Sequence, residues 1–309
     1  MEIVFILFIA LAIDLAFGEP HNPWHPVAWL GKLISLETKN MTRSGRSTQL
    51  ILGTVTVLMT LGAITMPIYL LILHLQEANS LIYVIVAGFL LKFTFSLRGL
   101  RQAVATVKGF LAQDNLAKAR INLRSLVSRD TTDLDESQLM SATVESAAEN
   151  SCDSFVAPLF YFLLFGVPGA IAYRIVNTFD AMIGYHEECE HLGKFAARLD
   201  DVVNFLPSRI TALMIVLAAW ICKRNVSQAW RIMLRDHKKT ESPNAGWTMS
   251  AIAGALEVQL EKAGHYKLGD NHYSLSLGTI DASLQMLTMV AIIWSLLSIS
   301  AEVIYFVAT

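Results

Sequence analysis

Long apolar runs broken by polar intervals organise this chain. Six stretches carry almost only apolar side chains: 2–17, 50–75, 80–97, 155–176, 206–222 and 284–308. A hydrocarbon core about 30 Å thick is crossed by about 20 apolar residues in helix, so each stretch is a candidate membrane segment. Two are irregular. Segment 50–75 holds Pro67, and 155–176 holds Pro158 and the run Gly166-Val167-Pro168-Gly169. Proline removes a helical donor and glycine frees the backbone, so 155–176 is expected to break into two short helices, either crossing or re-entrant. At membrane depth a broken helix persists only where protein or a polar cavity satisfies its backbone.

The polar intervals are 98–154, 177–205 and 223–283. Within the first, "LRGLRQAVATVKGFLAQDNLAKARINLRSLV" spaces its apolar residues at helical period. In "SRDTTDLDESQLMSATVESAAEN", Thr131, Thr132 or Asp133 is the expected N-cap, with acids in the first turn to meet the helix dipole. No useful alternating strand pattern appears. The pattern predicts an all-α, polytopic membrane protein with helical cytoplasmic loops, forming a single integral membrane domain over 1–309.

Composition agrees. Hydrophobic residues make up 54% and charged residues 16% of the 309, with mean hydropathy +0.47, more apolar than a soluble core of this size needs. The N-terminus lacks a basic region and a small-residue cleavage site, so it reads as a retained membrane segment. Net charge is −2, which gives no footing for nucleic acid. Cys152, Cys189 and Cys222 lack CxxC spacing and read as inert thiols.

Loops 18–49, 98–154 and 223–283 carry four, seven and eight Lys and Arg, against none in 76–80 and two in 177–205. That bias places the first set in the cytoplasm and the N-terminus outside. It also puts the polar 177–205 outside, unless 155–176 and 206–222 dip in and return, or hold their polar residues at membrane depth.

Candidate chemistry gathers at segment ends. Glu145, Glu149 and Asp153 are spaced i, i+4, i+8, one acidic stripe on a helix, with Asn150 beside it. A solvated face gives the same spacing. However, the neighbours are small, and the stripe runs into a membrane segment where an unpaired charge costs about 2.5–3.5 kcal/mol. Acids kept there bind cations or pair with Arg, and hard oxygen ligands suit Mg²⁺. A second cluster holds Arg174, Asn177, Asp180, Arg198, Asp200, Asp201, Asn204 and Arg209. It is either structural ion pairing or a site where Arg forks grip carboxylate or phosphate while Asp holds metal. "ESPNAGW" (241–247) is a turn whose N–H groups could face an anion, or an ordinary loop. In "GEPHNPWHPVAWLG" (18–31), Trp24 and Trp29 suit an interfacial belt, His25 is less easily explained, and Asp14 needs a partner. No Walker loop, GxGxxG or GxSxG occurs. "HEECEH" (186–191) spaces its histidines i, i+5, about 140° apart on a helix, unsuited to chelating one zinc. The N-x-[ST] sites at Asn40 and Asn225 fall in loops assigned to the cytoplasm.

Taken in order, "D…GEP…HPV", "SRDT", "TVESAAENSCDSFVAPLFY", "GVPGAIAYRIVNTFDAMIGY", "AARLDDVVNFLPSRITA" and "SPNAGW" resemble the CbiB/CobD family of cobalamin biosynthesis, adenosylcobinamide-phosphate synthase. The likeness runs from about residue 14 to about 270. The chain departs at Glu19, where the family pattern has Asp, and at Trp29 and Leu30, where an Arg is often near. The resemblance implies an integral membrane enzyme of the cell membrane. It would join a propionate of adenosylcobyric acid to (R)-1-aminopropan-2-ol or its O-phosphate, with ATP and Mg²⁺, alongside other cobalamin-assembly enzymes. On that reading Glu145, Glu149 and Asp153 are catalytic, and Mg²⁺ is held by Glu149, Asp153, Asp180, Asp200 or Asp201. Arg129, Arg174, Arg198 and Arg209 grip phosphate or propionate, while Asn150, Asn177, Asn244 and His25 bind substrate. A non-enzymatic membrane regulator and a corrinoid transporter are the competing classes.

Overall fold

The computed structural model describes residues 2–20, 24–39, 41–184 and 190–308, with Arg43, Tyr305 and Ala308 described by backbone alone. Cys189, His186 and the rest of the "HEECEH" core, and Asn40, lie outside the described residues. In chain order the helices are α1 (Glu2–Phe17), α2 (Pro26–Thr38), α3 (Arg46–Ala78), α4 (Ser80–Lys92), α5 (Leu97–Leu111), α6 (Leu116–Leu123) and α7 (Glu136–Ser151). A π turn (Cys152–Val156) leads to α8 (Ala157–Ile183), α9 (Glu190–Val203), α10 (Phe205–Ile221), α11 (Val226–Asp236) and α12 (Ala245–Leu256). The antiparallel hairpin β1 (Leu260–Lys262) and β2 (Tyr266–Leu268) precedes α13 (Leu277–Ala308). The protein is all-α apart from that hairpin.

Among the described residues, four helical stretches are long and apolar enough to cross a membrane: Arg46–Ala78, Ser80–Leu111, Glu136–Ile183 and Leu277–Ile304. The pair α9–α10, bent by 49°, makes a fifth if counted as one span. Large apolar side chains stand exposed along α3 (Ile51, Val55, Met59, Met66, Leu70) and α4 (Leu81, Ile85, Phe89), as lipid-facing surfaces require. The expected first segment forms as α1, but its 16 residues reach only about 24 Å, less than the hydrocarbon thickness. Interval 177–205 is largely helical, because α8 continues to Ile183 and α9 begins at Glu190.

The chain divides into two compact units. One comprises residues 1–96, 157–203 and 298–309. In it α1 packs on α4, and α3 packs on α8 and α9, around Ile34, Val57, Ile175, Phe179, Ile183, Leu192 and Ala196. Gly53 lets α3 meet α9 backbone to backbone: a Cβ there would lie 2.0 Å from the Leu192 carbonyl oxygen. α8 breaks at Gly166, whose φ of 67° and ψ of −163° are non-helical, as the Gly-Val-Pro-Gly run predicts. Pro67, in contrast, sits inside a continuous α3.

The other unit comprises 97–156 and 204–297. α7 lies against α5, α6, α12 and β1, and α11 and α10 pack on α12. α7 starts at a capping box, with Asp135 accepting from the Gln138 N–H and Gln138 reaching back to the Asp135 N–H. The expected caps do other work. Thr131 donates to the Arg120 carbonyl, and the Thr132 N–H and hydroxyl both donate to Asp130. Asp135 caps in their place, with Gln138 three residues on completing the box.

Candidate functional site

In the second unit, α7 carries a buried polar centre. Glu145 is the residue it is built around. Its Oε1 accepts from the Ser141 hydroxyl at 2.6 Å, and its Oε2 accepts from Arg129 Nη2 at 2.9 Å and Tyr266 Oη at 2.8 Å. Ser141 also accepts the Glu261 N–H at 2.8 Å, so β1 is pinned to α7 at the same point. Burial, and then the Glu145 carboxylate, push the Tyr266 hydroxyl well above its ordinary value, which keeps it a donor. The small residues of "TVESAAENS" permit this crowding: Ser141 through Ala148 are all buried. The stripe is therefore not a solvated face at its first member. Glu149 and Asp153, further along, are half-buried.

The helix widens where the stripe meets the apolar segment. The π turn Cys152–Val156 precedes Pro158, which has no N–H to close an α-helical bond. Such bulges are frequent at functional sites. Asn150 braces the turn, donating to the Ser146 carbonyl and hydroxyl at 3.0 Å each and accepting from Ser154 at 3.2 Å.

"FLPSR" and "SPNAGW" meet in the same unit. Arg209 Nη1 donates to Asn244 Oδ1 at 2.6 Å, to the Phe205 carbonyl at 2.7 Å and to Ser208 Oγ at 3.0 Å, and Nη2 donates to the Pro243 carbonyl at 3.3 Å. Its guanidinium lies over the Phe205 ring at 3.8 Å and the Trp247 ring at 5.0 Å. Arg209 therefore staples the turn to α10. Arg129 contrasts with it: among the described residues a single one of its five N–H donors goes to Glu145, and the others can meet an anion.

The first unit holds the remaining candidates. Arg174 Nη1 donates to Asn177 Oδ1, and Asn177 Nδ2 to Asp200 Oδ1, both at 3.4 Å, linking α8 to α9. Asp180 is buried. Arg198, 77% exposed, lies 3.8 Å from Asp201. The same unit reveals a buried charge chain that the apolar pattern hid. Lys92 Nζ, 2% exposed, lies 3.1 Å from Asp14 Oδ1 and 2.8 Å from Glu19 Oε1. His25 Nε2 meets Glu19 Oε2 at 2.6 Å while Nδ1 accepts the Val27 N–H at 3.2 Å. The backbone donor fixes the tautomer, so Nε2 carries the proton and donates to Glu19. Both ring nitrogens of His25 are thereby committed within the chain. Burial pushes the Glu19 carboxyl up, but hydrogen bonds from His25, Lys92 and Ser96 outweigh it and hold the group at about 2. Asp14 thus has its partner, and the longer arm of Glu19 serves to bridge Lys92 and His25. The sequence signal for Lys92 was a lone cation in an apolar segment. Nothing local signals Tyr266, which strand pairing delivers from far along the chain.

Among the described residues no three His, Cys, Asp or Glu side chains cluster as a metal site. Mg²⁺ commonly takes only one or two carboxylates plus phosphate oxygens and water, so a two-acid donor set suffices. Glu149 and Asp153, both half-buried, are carboxylates of the kind such a role uses.

Fold and site define an all-α, multi-pass membrane protein with a built polar centre on a membrane-entering helix. The family described as CobD/Cbib protein matches residues 7–294. A cobalamin biosynthesis protein CobD of Dehalococcoides mccartyi strain CBDB1 is 51% identical over 306 residues, covering 99% of each chain. A probable cobalamin biosynthesis protein CobD of Methanothermobacter thermautotrophicus is 44% identical over 271 residues, 87% of this chain and 88% of the relative. No solved structure matches. The chain belongs to the CobD/CbiB family of cobalamin biosynthesis proteins.

Proposed function

We propose that the protein forms an amide bond between a propionate carboxylate of adenosylcobyric acid and (R)-1-aminopropan-2-ol or its O-phosphate, with ATP as co-substrate. A carboxylate does not acylate an amine in water without activation. Transfer of the γ-phosphoryl group of ATP to the carboxylate gives an acyl phosphate and ADP. The neutral amine then attacks the acyl carbon; the C–N bond forms as the C–O bond to phosphate breaks, phosphate departs, and the surplus amine proton goes to solvent.

The observation that carries this reading is the Glu145 centre within the family's own "TVESAAEN" run. Glu145 fixes Arg129 and Tyr266, and Arg129 offers its remaining donors to phosphoryl oxygens in the part-buried setting that strengthens them. Mg²⁺, held by Glu149 and Asp153, would add positive charge at the phosphates when bound. Arg174, Asn177 and Asp200 lie in the first unit, where their hydrogen bonds brace α8 against α9. Arg209 and Asn244 shape the turn at 241–247, and His25 positions the start of α2.

The lysine and arginine bias supports a cytoplasmic position for loops 98–154 and 223–283 at the cell membrane, where ATP is available. Purified protein supplied with ATP, Mg²⁺, adenosylcobyric acid and either amine should yield cobinamide or its phosphate by mass spectrometry. Corrinoid flux across vesicles without product would favour transport, and binding with neither would favour a regulator.

A further inference from the structure

A cleft of about 340 Å³ lies in the second unit beside the start of α7, between that helix, the β1 strand and residues 271–275. This is at the lower end of the roughly 300–1,000 Å³ typical of ligand sites, so it cannot enclose a macrocycle but can take a side arm. Ser141 lines the cleft and also touches Glu145, so an occupant would sit one residue from the buried centre.

The charged groups on its walls are already engaged. Asp135 caps α7, and Glu261 pairs with Lys267 at 2.9 Å. The lining contains no Lys, Arg or His among the described residues, so nothing on it meets a phosphate or a free carboxylate. What remains open is neutral. Ser137, Gln259, Asn271 and Ser274 face the cleft, and their side chains take part in no hydrogen bond among the described residues. Asn and Gln side chains each present a donor and an acceptor side by side, which a primary carboxamide matches in two-point pairing.

We propose that this cleft is a subsite for neutral carboxamide arms of the corrinoid, selecting amidated over carboxylate-bearing rings. The inference rests on the ligase reading above. The test is equilibrium dialysis of the full-length protein in detergent, following corrinoid absorbance, with two probes: adenosylcobyric acid and the analogue in which its amides are hydrolysed to carboxylates. Wild type should bind the first at least tenfold more tightly than the second. The double variant Gln259→Met/Asn271→Leu, with an unchanged melting temperature, should bind adenosylcobyric acid at least tenfold more weakly than wild type, about 1.4 kcal/mol. Equal affinity of wild type for both probes overturns the subsite without any variant having to fold, and an unaffected double variant overturns it too. In either case amide formation by wild type would leave the ligase reading standing. No corrinoid binding and no product from wild type would remove both.

Discussion

Glu149→Gln removes a charge while keeping the side chain's shape, and so isolates what that carboxylate does. If it holds a metal–phosphate, the variant should insert into membranes normally and form no cobinamide in an assay fed cobyric acid. Wild-type turnover would take Glu149 out of the site. Arg129 is a different case. Removing it leaves the buried Glu145 with its two hydroxyl donors but no counter-charge, a loss of up to about 3–5 kcal/mol, so Arg129→Leu should lower the melting temperature, and Arg129→Leu/Glu145→Gln should recover much of it. Failure of the double variant to recover would mean that the pair is not coupled. The i, i+4, i+8 stripe was legible in sequence, because helical spacing depends only on neighbours. Its surroundings were not. Ser141 and Arg129 lie close in the chain, but Tyr266 reaches Glu145 through the β1–β2 hairpin, and short strands of three residues leave too little alternation to read.

At the scale of elements, the break in α8 is the most sequence-determined feature of the fold. Gly166 occupies a region of backbone space that is essentially glycine's alone, and a Cβ there would have room, its nearest neighbour being Pro168 Cδ at 3.7 Å. The cost of Gly166→Ala is therefore backbone strain, about 1–3 kcal/mol, to be read as a fall in thermal stability without loss of packing. No change in melting temperature would show that the break relaxes freely. The N-cap of α7 was misplaced by the same local reasoning that found the break. Several Ser, Thr and Asp residues precede α7, and hydrogen bonds made after folding decide which of them caps it.

For the whole molecule, acid is the informative stress. Two carboxyls, Glu19 and Asp236, titrate near 2 in the folded chain against ordinary values of 4.5 and 3.8. Asp236 is raised by burial but lowered more by Arg235, Lys239 and the Gly269 N–H. The unfolded chain therefore binds more protons than the folded one in this range. The stability these groups supply is complete above those ordinary values and is lost as pH falls toward 2. Melting temperature should be level from neutral pH down to about 5 and then decline; Asp236→Asn should lower the plateau and flatten the slope. A wild-type profile flat to pH 2.5 would contradict the two buried networks. Class and membrane character were legible at this scale because lipid demands long apolar helices. The division into two units was not, since each draws on distant parts of the chain.

The Asp14–Lys92 pair also bears on biogenesis. Asp14 leaves the ribosome on the first helix, well before its counter-ion on α4 has been made. Until α4 arrives, the Lys92 ammonium is not there to neutralise that acid. The fourth helix thereby completes the first, and because the α3 span anchors the chain in either case, Lys92→Met should leave residues 2–17 open to protease added to membrane vesicles, whereas wild type should resist.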